Sequence, residues 1–315
     1  MERLPPGIPS SWYVVAYSDE IPPGEVRRLH YLEREMVAFR GADGSVAVLD
    51  AYCPHLGAHL GVGGKVENGT LRCPFHGWRF DASGGCVEIP YASRIPPRAR
   101  AERWTSLERN GMVFVWYDAQ GKPPAFDVPD IPEWHDEGFT KSWLRYEWTL
   151  ETHPQEMVEN GIDWQHFPTV HFMSPPRETS YRFDGPAYHW SIGSGKLHTL
   201  QALTEEFELS GENWGLGYNV TRQLGIFRTV VATGMTPVDR GTLAVKLGVI
   251  ARRDGRGEAE LEQTLRTYME EHAVVARQDF HIWENKLYRP SPVLCEEDGP
   301  IAEYRRWARQ FYPEA

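Results

Sequence analysis

The chain has 315 residues, 41% of them hydrophobic, with 33 Lys and Arg against 44 Asp and Glu, for a net charge of −11. That length leaves room for two domains with real cores, and the acidic balance makes nucleic acid and anionic membrane surfaces poor partners. No apolar run approaches the length of a membrane-spanning helix, and residues 1–10 carry no hydrophobic signal core.

Residues 10–118 read as a small all-β domain. Residues 12–17, 36–40, 46–50 and 112–117 are rich in β-branched and aromatic side chains, and turns such as Ala42-Asp43-Gly44 break them. Two short Cys-plus-His pairs lie between these strands: Cys53-Pro54-His55 and Cys73-Pro74-Phe75-His76. Each pair brings two side chains to a metal from a single turn. The first spacing is too tight for an ordinary zinc finger. It suits a two-iron, two-sulfur cluster in which two thiolates hold one iron and two imidazoles the other, a ligand set that raises the potential. Gly57, Gly61, Gly63, Gly64 and Gly77 let backbone N–H groups approach the cluster sulfurs, and Pro54 and Pro74 fix φ in the loops. Zinc on the same four side chains is the competing reading. Cys86 and Cys295 remain, too few for a disulfide framework, so a reducing cytoplasm suits the chain.

Residues 49–66, L-D-A-Y-C-P-H-L-G-A-H-L-G-V-G-G-K-V, and 73–80, C-P-F-H-G-W-R-F, resemble the cluster-binding domain of Rieske non-heme iron oxygenases. Residues 89–96, I-P-Y-A-S-R-I-P, are similar to the branch of ketosteroid 9α-hydroxylase oxygenase components and cholesterol 7-desaturases.

Up to Asp118 there are 13 Lys and Arg against 14 Asp and Glu; the remainder has 20 against 30. Arg94, Arg98, Arg100 and Arg103 follow the cluster loops. They read either as solvated surface or as a docking patch for an acidic ferredoxin. Residues 119–140, rich in Pro, Gly and Asp, look like a linker.

The second domain, 141–315, opens on the strand-like W-L-R-Y-E-W-T-L and then reads E-N-G-I-D-W-Q-H-F-P-T-V-H from Glu159 to His171. Asn160, Asp163 and His166 are three residues apart and are expected on one helical face. Pro168 is expected to end that helix and turn His166 and His171 toward one metal. Two His and one carboxylate with open positions form the ligand set of non-heme Fe(II) oxygenases. His153 falls outside the pattern and reads as structural. Residues 257–283 predict one long helix whose buried stripe is Leu261, Leu265, Tyr268, His272, Val275, Asp279 and Ile282. A carboxylate on that stripe needs a partner, either an Arg or a metal. His272 is a rival ligand on the same stripe, and Glu284 lies off it.

The resemblance implies the rest. R-Q-D-F-H-I-W-E-N-K matches the family segment that supplies the third ligand, Asp279, and the 160–171 stretch matches its mononuclear iron motif. The implied fold class is α+β: an all-β Rieske [2Fe–2S] domain and a helix-grip catalytic domain, an antiparallel sheet with a long C-terminal helix. Cys53, His55, Cys73 and His76 would hold the cluster, and His166, His171 and Asp279 the mononuclear Fe(II). Asp163 would orient His166 and bridge to a cluster His of a neighbouring subunit, with Asn160 in support. A ferredoxin or flavin reductase would deliver electrons, since the chain carries no flavin or nicotinamide fingerprint. The implied assembly is a head-to-tail homotrimer, and the substrate, with O2, a steroid or sterol-like apolar polycycle. Hydroxylation, desaturation and oxidative demethylation share this chemistry. Two rivals stand outside it: a Rieske electron-transfer protein, and a lipid-binding helix-grip module with a zinc-stabilised β domain.

Overall fold

The computed structural model describes residues 3–172, 178–195, 207–225 and 227–313. The chain divides into two compact units, Trp12–Tyr117 and a larger one made of Met1–Ser11 with Asp118–Ala315.

The smaller unit is built from short strands: β1 (Ser11–Tyr17), β2 (Val26–Tyr31), β3 (Arg34–Arg40), β4 (Val46–Asp50), β5 (Lys65–Glu67), β6 (Thr70–Arg72), β7 (Arg79–Phe80), β8 (Cys86–Glu88), β9 (Ser106–Arg109) and β10 (Met112–Tyr117). They make three sheets, ordered β1-β10-β9, β2-β3-β4 and β5-β6-β7-β8. β1 and β10 are buried almost end to end, so their sequences run continuously apolar instead of alternating. Asn-Gly turns at Asn68-Gly69 and Asn110-Gly111, all at positive φ, close the β5–β6 and β9–β10 hairpins. Cys53 and Cys73 belong to the hydrophobic core itself, packed with Val37, Phe39, Leu60 and Phe80.

The larger unit begins with a packed segment. Val128 and Ile131 are buried, and Glu133, in α1 (Pro132–His135), pairs with Arg222 at 2.7 Å. The stretch expected as a linker is therefore folded onto this unit. Then come β11 (Leu144–Leu150), α2 (Pro154–Asn160), α3 (Phe167–Val170), β12 (Glu178–Asp184), β13 (Ala187–Gly195), β14 (Phe207–Trp214), β15 (Tyr218–Leu224), β16 (Thr229–Asp239), β17 (Thr242–Ala251), α4 (Glu258–Asn285) and α5 (Ile301–Ala308). The seven strands form one antiparallel sheet, ordered β11-β17-β16-β15-β14-β13-β12. β16 and β17 are rich in Val, Ile, Leu and Thr, which suit a pleated buried surface. α4 lays Leu261, Leu265, Tyr268 and Met269 against Val231, Leu247 and Val249 of that surface.

The α4 stripe departs from expectation at its end. Ile282 is 37% exposed, whereas Trp283 is buried. A strict four-three alternation drifts about 20° per heptad on a straight helix. Three heptads after Leu261 the drift has carried Ile282 out of the core and brought Trp283 in.

Candidate metal centres and active site

The two cluster loops share one turn. Gly57 N–H donates to Cys53 O at 2.9 Å, and Gly77 N–H donates to Cys73 O at 3.1 Å. Both glycines sit at positive φ, +75° and +73°, which only glycine adopts without strain. Each loop reads Cys-Pro-x-x-Gly, so the repeated sequence makes the repeated turn. Burial, with the Cys73 thiol beside it, pushes the Cys53 thiol up to about 11. Two adjacent thiols in a hydrophobic core are well placed only if a metal deprotonates them. The His55 and His76 rings are 4.7 Å apart, and His55 stacks flat on Trp78 at 4.6 Å. Trp78 Nε1 donates to Tyr91 Oη at 2.9 Å. Two thiols in the core and two imidazoles beside them are the mixed donor set of a Rieske [2Fe–2S] cluster. Around the loops Tyr52, Leu56, Val62, Phe75 and Tyr91 are exposed, as are Arg94, Arg98, Arg100 and Arg103.

His166, His171 and Asp279 come from two distant stretches, and their donor atoms all lie within 4.8 Å of one another. His166 Nε2 is 3.2 Å from His171 Nε2; Asp279 carboxylate oxygens lie 3.8 Å from the first and 3.5 Å from the second. Both Nδ1 atoms are donors, His166 to the main-chain oxygen of Asp163 and His171 to Gln278 Oε1 at 2.9 Å. Both Nε2 atoms therefore present lone pairs to each other and to a carboxylate. Asn160 Nδ2, 3.4 Å from Asp279 and 3.3 Å from His166 Nε2, is the N–H donor beside them. Burial pushes the Asp279 carboxyl up to about 6 and, with His171 nearby, the His166 imidazole down to about 4. A cation relieves this convergence. Ligands about 2.1 Å from a metal at right angles are themselves about 3 Å apart, close to what is seen, so the set fits a facial triad with open positions.

The local backbone differs from the expected single helix. α2 starts at Pro154, capped by His153, whose Nδ1 accepts from Gln155 N while Nε2 donates to Gly7 O. It ends at Asn160 with Gly161 after it, and Asp163 sits in a turn before a 3-10 turn, Trp164–His166. Pro168 lies in the first turn of α3 and starts that helix, since its missing N–H is an orphan there anyway. Asn160, Asp163 and His166 thus do not share a helical face. The ring N–H of His166 goes to the Asp163 main chain, with the Asp163 carboxylate 3.9 Å away.

His272 stands outside the triad and lines a cavity instead. Glu284 takes its carboxylate to the Glu151 main chain. Gln278 escapes sequence reading because it sits one position off the buried stripe. So does the clamp behind α2: Arg305 of α5 makes a bidentate pair with Glu159 at 2.7 and 2.8 Å, and Lys286 pairs with the buried Glu156.

Between α2, α4 and the sheet lies a cavity of about 320 Å³. His171 and Asp279 reach it, and Trp148, Trp190, Leu209, Met235, Leu247 and Phe280 supply much of its apolar wall. Trp190 and Met235 face the cavity, whereas Phe183 packs into the core.

Residues 11–99 match the Rieske [2Fe–2S] domain, and residues 115–312 match the 3-ketosteroid 9alpha-hydroxylase C-terminal domain. The chain belongs to the Rieske non-heme iron oxygenases. This oxygenase is 34% identical to a probable 3-ketosteroid-9-alpha-monooxygenase oxygenase component of Rhodococcus rhodochrous, over 96% of this chain and 79% of that one. It is 32% identical to a cholesterol 7-desaturase of Ciona intestinalis, over 99% of this chain and 70% of that one. Its fold matches that of dicamba monooxygenase bound to dicamba, with a TM-score of 0.75 at 20% identity, covering 95% of this chain and 96% of that one. An oxygenase component of this family holds a Rieske cluster and a mononuclear iron and takes electrons from a separate donor. A pure electron-transfer protein and a zinc-stabilised lipid carrier are thereby set aside. No helix among the described residues is long and apolar enough to cross a membrane.

Proposed function

We propose that this oxygenase hydroxylates a steroid or sterol-like polycycle. The observation that carries the reading is the apolar cavity that opens on the His166–His171–Asp279 set. Apolar walls bury a hydrocarbon skeleton, and a triad leaves positions free for O2. When bound, the cluster supplies single electrons and the iron activates O2 for attack on the substrate.

The chain's own residues do the rest. Cys53 and Cys73, in the core, would hold one cluster iron, and His55 and His76 the other. Gln278 and the Asp163 main chain fix the tautomers of His171 and His166, so that each Nε2 faces the metal. Asn160 steadies the Asp279 carboxylate. Asp163 keeps its own carboxylate for a cluster His of a neighbouring subunit. Exposed Tyr52, Leu56, Phe75 and Tyr91 around the cluster suit burial against a second copy, which favours a homotrimer. A ferredoxin or flavin reductase is the donor. Free thiols at Cys86 and Cys295 suit a cytoplasmic setting.

One of the relatives is named as a desaturase, so the outcome at carbon needs a direct test. Purified protein with a surrogate ferredoxin and reductase is given a panel of steroids under labelled O2, and products are identified by mass. Label retained as a new hydroxyl supports hydroxylation. Loss of two hydrogens without label converts the reading to desaturation. No turnover of any polycycle would sink the substrate class.

A further inference from the structure

Polar residues line the cavity along β15, and one donor among them is unspent. Asn213, Asn219 and Thr221 bond among themselves: Asn219 Nδ2 donates to Asn213 Oδ1 at 3.1 Å, and Thr221 Oγ1 donates to Asn219 Oδ1 at 2.9 Å. Gln223 differs. It is 5% exposed, its Oε1 accepts from Tyr268 Oη at 2.9 Å, and its Nε2 has no hydrogen-bond partner among the described residues. Tyr268 in turn accepts from Thr229 Oγ1 at 3.2 Å, and Thr229 faces Gln223 across the β15–β16 ladder. The relay Thr229 to Tyr268 to Gln223 runs in one direction. It holds the amide so that one N–H is left over, buried in a residue that lines the cavity. Leaving a donor buried without an acceptor is costly, so something else is expected to accept from it.

Position along α4 says where that acceptor lies. Tyr268 precedes Asp279 by eleven residues, which is about 16 Å of helix at 1.5 Å per residue. Val275 and His272 line the interval. Burial keeps His272 neutral by pushing it down to about 4, so no charge stands between the two ends.

We propose that Gln223 Nε2 is a specificity-determining donor for a carbonyl oxygen at the end of the substrate remote from the iron, with Tyr268 and Thr229 as positioning residues. This deepens the reading of the cavity as the polycycle site and rests on it. A ligand pinned at Gln223 and lying along α4 presents one fixed stretch of skeleton to the triad. The socket therefore sets the position of attack as well as affinity. An alcohol at the same place is the weaker fit, because its own O–H must share Gln223 Oε1 with Tyr268 whereas a carbonyl brings no donor to place.

The test uses the full-length, metal-loaded protein under anaerobic conditions and follows tryptophan quenching, since Trp148, Trp190 and Trp283 line the cavity. The probes are androstenedione, the matching androstenediol and the hydrocarbon androstane. Wild-type protein is expected to bind the diketone most tightly. Gln223→Met is expected to weaken androstenedione about tenfold, as one hydrogen bond to a buried carbonyl is lost, and to leave androstane unchanged. Tyr268→Phe frees the amide and is expected to lose part of the same preference. Under turnover Gln223→Met is expected to yield a mixture of positional products where wild type gives one. Equal losses for androstenedione and androstane would overturn the proposal. So would tighter wild-type binding of the diol, or no ketone preference in wild type, and these two outcomes hold even if Gln223→Met fails to fold. If none of the three probes binds, the polycycle reading has failed and the socket falls with it. If all bind alike, only the socket fails.

Discussion

Two imidazoles with their lone pairs aimed at each other and at a carboxylate form a donor set for a cation. At this level the supporting residue counts for almost as much as the ligand. Gln278 is the acceptor of His171 Nδ1 among the described residues. Gln278→Leu should therefore lower affinity for the mononuclear iron about ten- to hundred-fold while leaving the Rieske signal intact, read by metal analysis after dialysis against a chelator. Asp163→Asn addresses the proposed bridge between centres. It should leave both metals bound and slow reoxidation of the reduced cluster when substrate and O2 are mixed in a single turnover. Wild-type reoxidation rates would remove Asp163 from that role. The main-chain bond to His166 is untouched by the substitution, which makes the outcome specific to the carboxylate.

At the scale of elements, α2 is held from two sides. Its N-terminus is capped by His153, and its outer face is clamped by Arg305 on Glu159. Arg305→Met leaves Glu159 charged and buried, and should cost about 3–5 kcal/mol in chemical denaturation; adding Glu159→Leu should recover much of it. His153 gives a pH dependence. Burial pushes it down from 6.5 to about 4. Between those values the unfolded chain takes up a proton that the folded chain refuses. Stability is thus complete above pH 6.5 and falls as the pH drops toward 4. His153→Asn keeps a capping acceptor and cannot titrate. It should flatten the pH dependence of the urea midpoint by up to about 1.4 kcal/mol per pH unit. Turns show the same contrast between local and tertiary control. Asn68-Gly69 and Asn110-Gly111 announce their hairpins, because both residue types tolerate positive φ. Leu32-Glu33 joins β2 to β3 at φ +58° and +60° with neither residue suited to it. There the buried Leu32 holds a strained turn that no local pattern reveals.

For the whole molecule, the charge is lopsided: near balance up to Asp118, strongly acidic beyond it. An acidic donor would be repelled by the bulk of the chain, and the exposed Arg94, Arg98, Arg100 and Arg103, which follow the cluster loops, are its expected docking patch. Arg94→Glu with Arg98→Glu should raise the KM for an acidic ferredoxin several-fold, weaken its salt dependence, and leave kcat unchanged. Unaltered ferredoxin kinetics would return the four arginines to the status of solvated surface.

What was legible in the residues alone was whatever short spacing controls. Cys-Pro-x-x-Gly occurs twice and folds twice into the same turn, because proline and a positive-φ glycine dictate it locally. The stripe of α4 was legible for the same reason, until the mismatch between seven residues and two turns accumulated and exchanged Ile282 for Trp283. Three things depended on packing across the fold. The break in the motif helix fell at Gly161, just before the buried Ile162, and not at Pro168. The ring N–H of His166 found a carbonyl where a carboxylate was expected, because the 3-10 turn brings the backbone closer than the side chain. The unspent N–H of Gln223 exists only because Tyr268, forty-five residues away, occupies the other half of the amide. A hydrogen bond between a strand and a helix has no periodicity, so neither Gln223 nor Tyr268 carries a mark of it in the chain.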